Sequence, residues 1–133
     1  MLDIGAGCGW LAARLAKQGW AGAAVDITID GGDGLALAKH HEAELLLARA
    51  EMDALPFASG SLDLAVFNAS LHYSADVITA LREALRVLAP GGILAVLDSP
   101  VFDDPAAGHR SVAEFAEHMR RTHGLDPADH EGP

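Results

Sequence analysis

Three glycines alternate with other residues near the start of the chain, directly after a short apolar stretch. The run reads Leu2-Asp3-Ile4-Gly5-Ala6-Gly7-Cys8-Gly9-Trp10-Leu11. Glycine has no side chain, so it lets the backbone turn sharply and lie close to a ligand. A helix after such a turn offers free N–H groups and the positive end of its dipole. The run therefore predicts a strand, a loop and a helix that together hold a nucleotide-type ligand.

The spacing of the glycines bears on which nucleotide the loop can hold. A dinucleotide fingerprint has glycines at its first, third and sixth positions. Counted from Gly5, the sixth position is Trp10, whose indole would obstruct the close helix packing that a glycine allows. The spacing disfavours NAD, and with it an oxidoreductase.

Composition limits the classes of partner. The chain has 133 residues, half of them apolar, which is enough for one folded domain with a core. Its formal net charge is -10, with nine basic residues scattered along it, so we expect no nucleic-acid partner, since such binding depends on Lys and Arg at phosphates. Neither a membrane-spanning stretch nor a signal sequence is visible, so we expect no membrane contact and a cytoplasmic protein.

Apolar stretches suited to buried strands alternate with segments of helical periodicity. This pattern predicts an α/β fold: a Rossmann-like open parallel sheet with helices on both faces. After a first strand that ends at Asp3, the predicted strands are residues 23–27, 45–48, 62–67 and 93–97. The predicted helices are residues 10–18, 35–40, one that Asp76 caps and Pro90-Gly91-Gly92 stops, and one that begins at Ser111. We predict one core over residues 1–124 and a loose tail over 125–133.

Two of these helices carry specific packing predictions. The helix after Asp76 is expected to bury its large apolar residues, which are Ile78, Leu81, Leu85 and Leu88. The last helix is expected to begin with a capping box and to turn three residues inward. Those residues are Val112, Phe115 and Met119.

Polar side chains follow the predicted strands. Asp3 and Asp26 end the first two strands, Asp53 follows the third, and Asn68 closes the fourth. Ligands of open α/β sheets bind beyond the carboxyl ends of the strands, where the strand order reverses. Each side chain alone is equally well explained as a turn former or helix cap, but together with the glycine loop they predict one site.

Several segments resemble the motifs of class I S-adenosylmethionine-dependent methyltransferases. Residues 2–9 look like the first motif, 24–26 like the second, 53–57 like the third and 62–68 like the fourth, and residues 81–92 are similar to the helix and turn that follow. Within that class, the chain resembles the type 11 enzymes, which act on small molecules and include quinone-biosynthesis C-methyltransferases.

The resemblance implies S-adenosylmethionine as the cofactor and assigns roles to matched residues. The glycines would hold the methionine part, Asp26 the ribose hydroxyls and Asp53 the adenine amino group, with Ala54 and Leu55 on either side of the ring. Carboxylate oxygens suit both kinds of donor. The full predicted set is Asp3, Gly5, Ala6, Gly7, Gly9, Asp26, Ile27, Asp53, Ala54, Leu55 and Asn68.

The chemistry implied is methyl transfer (class 2.1.1) to a small-molecule acceptor. Direct displacement at a sulfonium needs alignment more than a catalytic triad. His72 is a candidate base for an acceptor that must lose a proton, although it could equally pack under the loop or cap the next helix. The other six histidines lack metal-ligand spacing, so we read them as solvated and expect no metal.

The resemblance also implies helices before the first strand and a terminal pair of strands, and we expect both to be missing from this chain. We therefore expect residues 93–97 to form an unpaired apolar edge. Either the chain is part of a longer protein or a homodimer covers that edge. A truncated module that binds the cofactor without turnover is the main alternative to an active enzyme.

Overall fold

The computed structural model describes residues 1–30, 32 and 34–125. The predicted loose tail lies outside them, apart from Leu125. The chain divides into two compact units, Met1–Ser99 and Pro100–Pro133, and each is described by itself. The predicted bounds of a single core, residues 1–124, remain a prediction.

The first unit contains one parallel sheet of five strands. The strands are β1 (Leu2–Ile4), β2 (Gly22–Asp26), β3 (Leu45–Arg49), β4 (Leu62–Asn68) and β5 (Leu88–Leu97). Their order is β3-β2-β1-β4-β5, and every neighbouring pair is parallel. The order reverses between β1 and β4, so a crevice opens beside the glycine loop, as expected for this topology.

Helices cover both faces of this sheet, as predicted. Helix α1 (Trp10–Ala16) follows β1, and helix α2 (Val77–Val87) precedes β5. Two 3₁₀ segments, Leu35–His41 and Leu71–Tyr73, lie in the connections. Alternate residues of a strand face opposite sides of the sheet, and the two buried clusters divide accordingly. The first contains Leu2, Ile4, Phe67, Ala80 and Ala84, and the second contains Ala12, Ala24, Leu35 and Val66.

The prediction for the buried face of α2 was wrong for Ile78 and Leu85, whereas Leu81 packs against the core and Leu88 is buried. Ile78 and Leu85 are 55% and 57% exposed, whereas Ala80 and Ala84 are fully buried. Because small side chains let the helix backbone lie close to the sheet, the buried face of α2 is formed by alanines and not only by its large apolar residues. Leu88, expected on the helix, already has extended backbone and begins β5.

The Pro90-Gly91-Gly92 sequence does not stop α2, because the helix ends at Val87 and all three residues belong to β5. A proline is tolerated in this position because β5 is an edge strand, where one N–H group needs no partner strand. The edge itself was predicted correctly. Among the described residues no strand pairs with the outer side of β5, and Ile93 is 63% exposed.

The described part of the second unit consists mainly of helix α3 (Pro105–His123). The predicted capping box at Ser111 was wrong, because that residue lies inside the helix. Asp104 caps it instead, accepting a hydrogen bond from the Ala106 N–H at 3.0 Å, and Pro105 occupies the first turn. Val112 and Phe115, predicted to face inward, are 68% and 58% exposed.

Within the described residues, no helix combines the length and apolar character that crossing a membrane requires.

Candidate cofactor site

The glycine loop, residues 5–9, leaves β1 at the carboxyl edge of the sheet. Gly5 has φ +69°, in the left-handed region where side chains are strained. A Cβ atom at Gly5 would lie 2.5 Å from Ser70 Cβ, which is closer than two carbon atoms can approach. Ser70 is held in place in turn, because its buried hydroxyl donates to the Ile4 carbonyl at 2.6 Å. Only glycine fits at position 5.

Gly9 is the N-cap of α1, also with positive φ, and a Cβ there would lie 3.1 Å from Ala38 Cβ. The adjacent Cys8 carbonyl accepts a hydrogen bond from Nε2 of His41 at 3.1 Å. His41 was expected to be solvated. It is half-buried against the loop instead, so the 3₁₀ segment after β2 helps to fix the loop's far end.

Asp3 lies beneath the loop. It is the middle residue of β1, not its last as predicted. Its carboxylate is almost wholly buried and accepts a hydrogen bond from the Ala12 N–H in the first turn of α1, at 3.2 Å. Burial raises the pKa of Asp3 to about 6, and the negative charge of Asp26 adds to the rise, whereas the Ala12 N–H opposes it.

Asp26 lies at the end of β2, as predicted, although the strand ends at Asp26 and not at Ile27. Its carboxylate joins the glycine loop to the chain after β2. Its Oδ2 accepts a hydrogen bond from the Gly7 N–H and its Oδ1 accepts one from the Thr28 N–H, each at 2.8 Å. The carboxylate is therefore fixed by two backbone groups. Since each oxygen of an ionised carboxylate has two lone pairs, both oxygens can still accept a hydrogen bond from a ligand.

Two cavities open at the carboxyl edge of the sheet. The Asp26 cavity has a volume of 510 Å³, within the range usual for small-molecule sites. It is lined by the glycine loop, the end of β2, the chain after β3 and the turn after β4. The lining residues are Gly5, Gly7, Asp26, Ile27, Thr28, Ala50, Glu51, Met52, Asp53, Ala69, Ser70, Tyr73, Ser74 and Ala75.

The second cavity, which we call the Trp10 cavity, has a volume of 380 Å³ and lies against the same glycine loop. Its lining residues are Asp3, Gly5, Ala6, Gly7, Cys8, Trp10, Gly32, Leu37, Asn68 and Ala69. A wider depression of 780 Å³ lies elsewhere, at the amino ends of β2 and β3 beside Gly22 and Leu45, and contains none of the predicted site residues.

The sheet edge brings most of the predicted residues together. Gly5, Gly7, Asp26, Ile27 and Asp53 line the Asp26 cavity, and Asp3, Ala6 and Asn68 line the Trp10 cavity.

Four predicted residues line neither cavity. Gly9 caps α1, and Ala54 is exposed. Leu55 is buried in the core, where it packs with β-strand residues rather than facing a ligand. His72 is exposed, with its ring 4.3 Å from the ring of Tyr73 between centroids.

Sequence reasoning missed part of the Asp26 cavity wall. Glu51 and Met52 line it beside Asp53, and Tyr73 lines it from the turn after β4. A signal for Glu51 was present, because it lies two residues after the last residue of β3, Arg49, which pairs with Asp26 in the sheet. Among the described residues, no group of three His, Cys, Asp or Glu side chains is placed to hold a metal ion.

Comparison with known proteins agrees with this architecture. The profile of a family described as "Methyltransferase domain" matches residues 2–96. The chain is 36% identical over 115 residues to malonyl-[acyl-carrier protein] O-methyltransferase of Hahella chejuensis, covering 82% of this chain and 40% of the relative. It is 34% identical over 110 residues to the ubiquinone/menaquinone biosynthesis C-methyltransferase UbiE of Dinoroseobacter shibae, covering 79% and 44%.

A solved structure is similar as well. The SAM-dependent methyltransferase and possible histamine N-methyltransferase of Thermotoga maritima superposes with a TM-score of 0.59 at 25% identity, over 71% of this chain and 42% of that one. The chain thus spans less than half the length of these relatives. It belongs to the methyltransferase-domain family, whose fold is the Rossmann-like methyltransferase fold. The cofactor of this family is S-adenosylmethionine, as the resemblance implied.

Proposed function

We propose that the chain binds S-adenosylmethionine in the Asp26 cavity and transfers its methyl group to a small-molecule acceptor. The observation that carries the proposal is the Asp26 carboxylate, which two backbone N–H groups hold at the cavity wall while each oxygen keeps a free lone pair. Two fixed acceptors side by side match the two hydroxyl groups of a ribose. The glycine loop alongside has room for a ligand backbone close to its own.

The other end of the cavity suits an adenine ring. Ile27 and Met52 offer apolar surface there, and Glu51 and Asp53 offer carboxylate acceptors for the exocyclic amine. Ala54 and Leu55 line no cavity, so we assign the faces of the ring to Ile27 and Met52 instead. The glycine loop, with Asp3 beneath it, lies toward the methionine end.

When bound, S-adenosylmethionine supplies a methyl group on a sulfonium that a nucleophile can displace directly. The protein's part is then to orient the two molecules and to exclude water. An acceptor that must first lose a proton also needs a base. His72 is our candidate, because its ring contacts Tyr73, which lines the cavity. Unchanged turnover by His72→Ala would exclude this role.

Small molecules are the acceptor class that we favour. The net charge of -10 argues against nucleic acid, and the two curated relatives are named for a carrier-linked malonyl group and for quinone biosynthesis. Because the chain spans less than half of either relative, a cofactor-binding module without turnover is the competing proposal. A radiolabelled methyl-transfer screen over small acids, phenols and quinones separates the two.

Calorimetric titration with S-adenosylhomocysteine tests the cofactor site. We expect micromolar binding that Asp26→Ala abolishes, with NAD failing to compete. Asp63→Ala is the matched control, since it removes an exposed strand aspartate outside the site and should leave binding unchanged. A folded wild-type chain that binds nothing contradicts the proposal.

We also propose self-association through the outer edge of β5. That edge is unpaired among the described strands, and Ile93, Val96 and Leu97 are exposed along it. A monodisperse monomer in light scattering contradicts this proposal.

A further inference from the structure

The chain between β3 and β4, residues 50–61, crosses from the sheet edge to the far side of β1 without a helix. We call it the crossover loop. Four of its residues, Ala50, Glu51, Met52 and Asp53, line the Asp26 cavity. A segment without regular hydrogen bonds of its own depends on contacts with the rest of the protein for its conformation. The Ala50 N–H donates to the Asp26 carbonyl, Leu55 is buried in the core, and the Gly60 and Ser61 N–H groups donate to the Arg86 and Val87 carbonyls. Two side chains of α2 add contacts with residues 55–59.

Glu83 and Arg86, one turn apart on α2, bind the backbone of the crossover loop. Oε1 of Glu83 accepts a hydrogen bond from the Leu55 N–H at 2.9 Å. Arg86 donates to the Leu55 carbonyl from Nη2 at 3.1 Å and to the Phe57 carbonyl from Nη1 at 2.9 Å. It also donates to the Ser59 hydroxyl at 3.2 Å. The pair thus forms hydrogen bonds with three alternate residues of the loop, which are Leu55, Phe57 and Ser59.

The two side chains also bind each other. Nε and Nη2 of Arg86 donate to Oε2 and Oε1 of Glu83 at 2.8 and 2.7 Å. All five N–H groups of the guanidinium therefore have an acceptor, which a lysine ammonium with three donors cannot reproduce. The hydrogen bond from Arg86 holds the pKa of Glu83 below its usual value, and Glu83 raises that of Arg86. Both charges persist at neutral pH.

We propose that Glu83 and Arg86 are positioning residues for the adenine end of the cofactor site. They fix the crossover loop at residues 55–59 and thereby hold Glu51–Asp53 against the cavity. The inference rests on the proposed function, since it assigns the loop to adenine recognition. Neither side chain lines the Asp26 cavity, so both act through the loop.

If Glu83 and Arg86 position the loop, they should affect which base the site prefers. Residues that only stabilise the fold would not change this preference. S-inosylhomocysteine carries a carbonyl where S-adenosylhomocysteine carries the amino group. The carboxylates of Glu51 and Asp53 can accept a hydrogen bond from the amino group but not from a carbonyl, so a site that holds them in place should bind the inosine compound weakly. We expect the wild-type chain to bind the adenosine compound at least about tenfold more tightly. With Glu83→Gln or Arg86→Lys, adenosine-compound affinity should fall about tenfold and the preference should shrink to about threefold or less.

Arg82→Gln is the matched control. It changes the net charge by one unit, as Glu83→Gln does but with the opposite sign, at an exposed position on the same helix, one turn before Arg86. It should change neither affinity nor preference. Hydrogen exchange at the Leu55 amide, which donates to Glu83, should accelerate in Glu83→Gln but not in Arg82→Gln. Glu83→Gln keeps the shape of the side chain, so it serves if Arg86→Lys fails to fold.

The outcomes separate the two proposals. A wild-type chain that binds neither compound contradicts the proposed function. Wild-type binding with a clear preference, retained within about twofold by folded Glu83→Gln and Arg86→Lys, overturns the positioning role alone. Loss of preference together with faster Leu55 exchange supports it.

Discussion

The glycine loop and the crossover loop line the same cavity but are fixed by different forces. The glycine loop is held by shape and burial: Gly5 lies against Ser70 with no room for a side chain, and Asp3 is buried beneath. The crossover loop buries Leu55 in the core, but its backbone over residues 55–59 is held from outside by the partly exposed Arg86 and its partner Glu83. Changes at the first loop should therefore cost stability, whereas changes at the second should mainly alter binding.

The largest effect is expected from Gly5→Ala. The positive φ costs about 1–2 kcal/mol for any side chain, and the clash with Ser70 adds about 1–3 kcal/mol. We expect urea unfolding to show a loss of about 2–5 kcal/mol. Gly60→Ala is the matched control, because Gly60 has φ +67° but open space around it, so only the backbone cost should appear. The loss in the double variant Gly5→Ala with Ser70→Gly should be smaller than the sum of the losses of the two single variants, and additive losses would contradict the clash.

The next effect is a pH dependence due to Asp3. The folded chain keeps the Asp3 proton up to a pKa of about 6, whereas the ordinary value is 3.8, so unfolding releases this proton between those limits. The free energy of unfolding should therefore fall as pH rises from 4 to 7, by roughly 2–3 kcal/mol more in the wild type than in Asp3→Asn. Urea unfolding at several pH values measures the difference. Parallel pH curves for the two proteins would show that burial does not perturb this carboxyl.

A smaller effect is expected from Ser70→Ala. This change leaves the buried Ile4 carbonyl without the hydroxyl that donates to it, at a cost of about 1–2 kcal/mol. Ser61→Ala removes a similar hydroxyl-to-carbonyl bond in an exposed place, to Ala58 at 2.7 Å. That control should change the free energy of unfolding by less than about 0.5 kcal/mol. Equal losses in thermal melts would mean that burial is not what fixes the glycine loop.

The smallest effect is expected from Ser59→Ala, which removes the outermost and longest of the Arg86 contacts with the crossover loop. Because the site is exposed and the two carbonyl contacts remain, the free energy of unfolding should change by less than about 0.5 kcal/mol. A loss above 1 kcal/mol in urea unfolding would place this loop among the rigid parts of the fold and weaken the contrast with the glycine loop.

The glycine loop and the sheet edge were predictable because their signals are local. Alternating glycines after an apolar stretch, and polar residues just after predicted strands, are read directly from neighbouring positions. The position of Asp26 at the end of β2 followed from this pattern. So did the α/β fold, since apolar strands alternate with helical segments along nearly the whole first unit.

The hydrogen bonds of Glu83 and Arg86 to the crossover loop were not predictable in this way. They join side chains to backbone groups 28 to 31 positions away in the sequence. The buried face of α2 was predicted only in part, because Ala80 and Ala84 pack against the sheet while the larger Ile78 and Leu85 face solvent. The start of α3 was missed because Asp104 caps the helix and Pro105 begins it, whereas the sequence also offers a capping box seven residues after Asp104, at Ser111. Glu51 was passed over in favour of Asp53, because sequence alone did not show where the chain turns after β3.

The placement of β1 in the middle of the sheet has a consequence for how the protein folds. Only three residues long, β1 pairs with β2 on one side and β4 on the other. The bond from Ser70 to Ile4 joins residues 66 positions apart, so the crevice beside the glycine loop forms only when distant parts of the chain meet. Long-range pairing of this kind is slow. The ability to bind a ligand should therefore be acquired late in refolding, after the local pairing of β1 with β2.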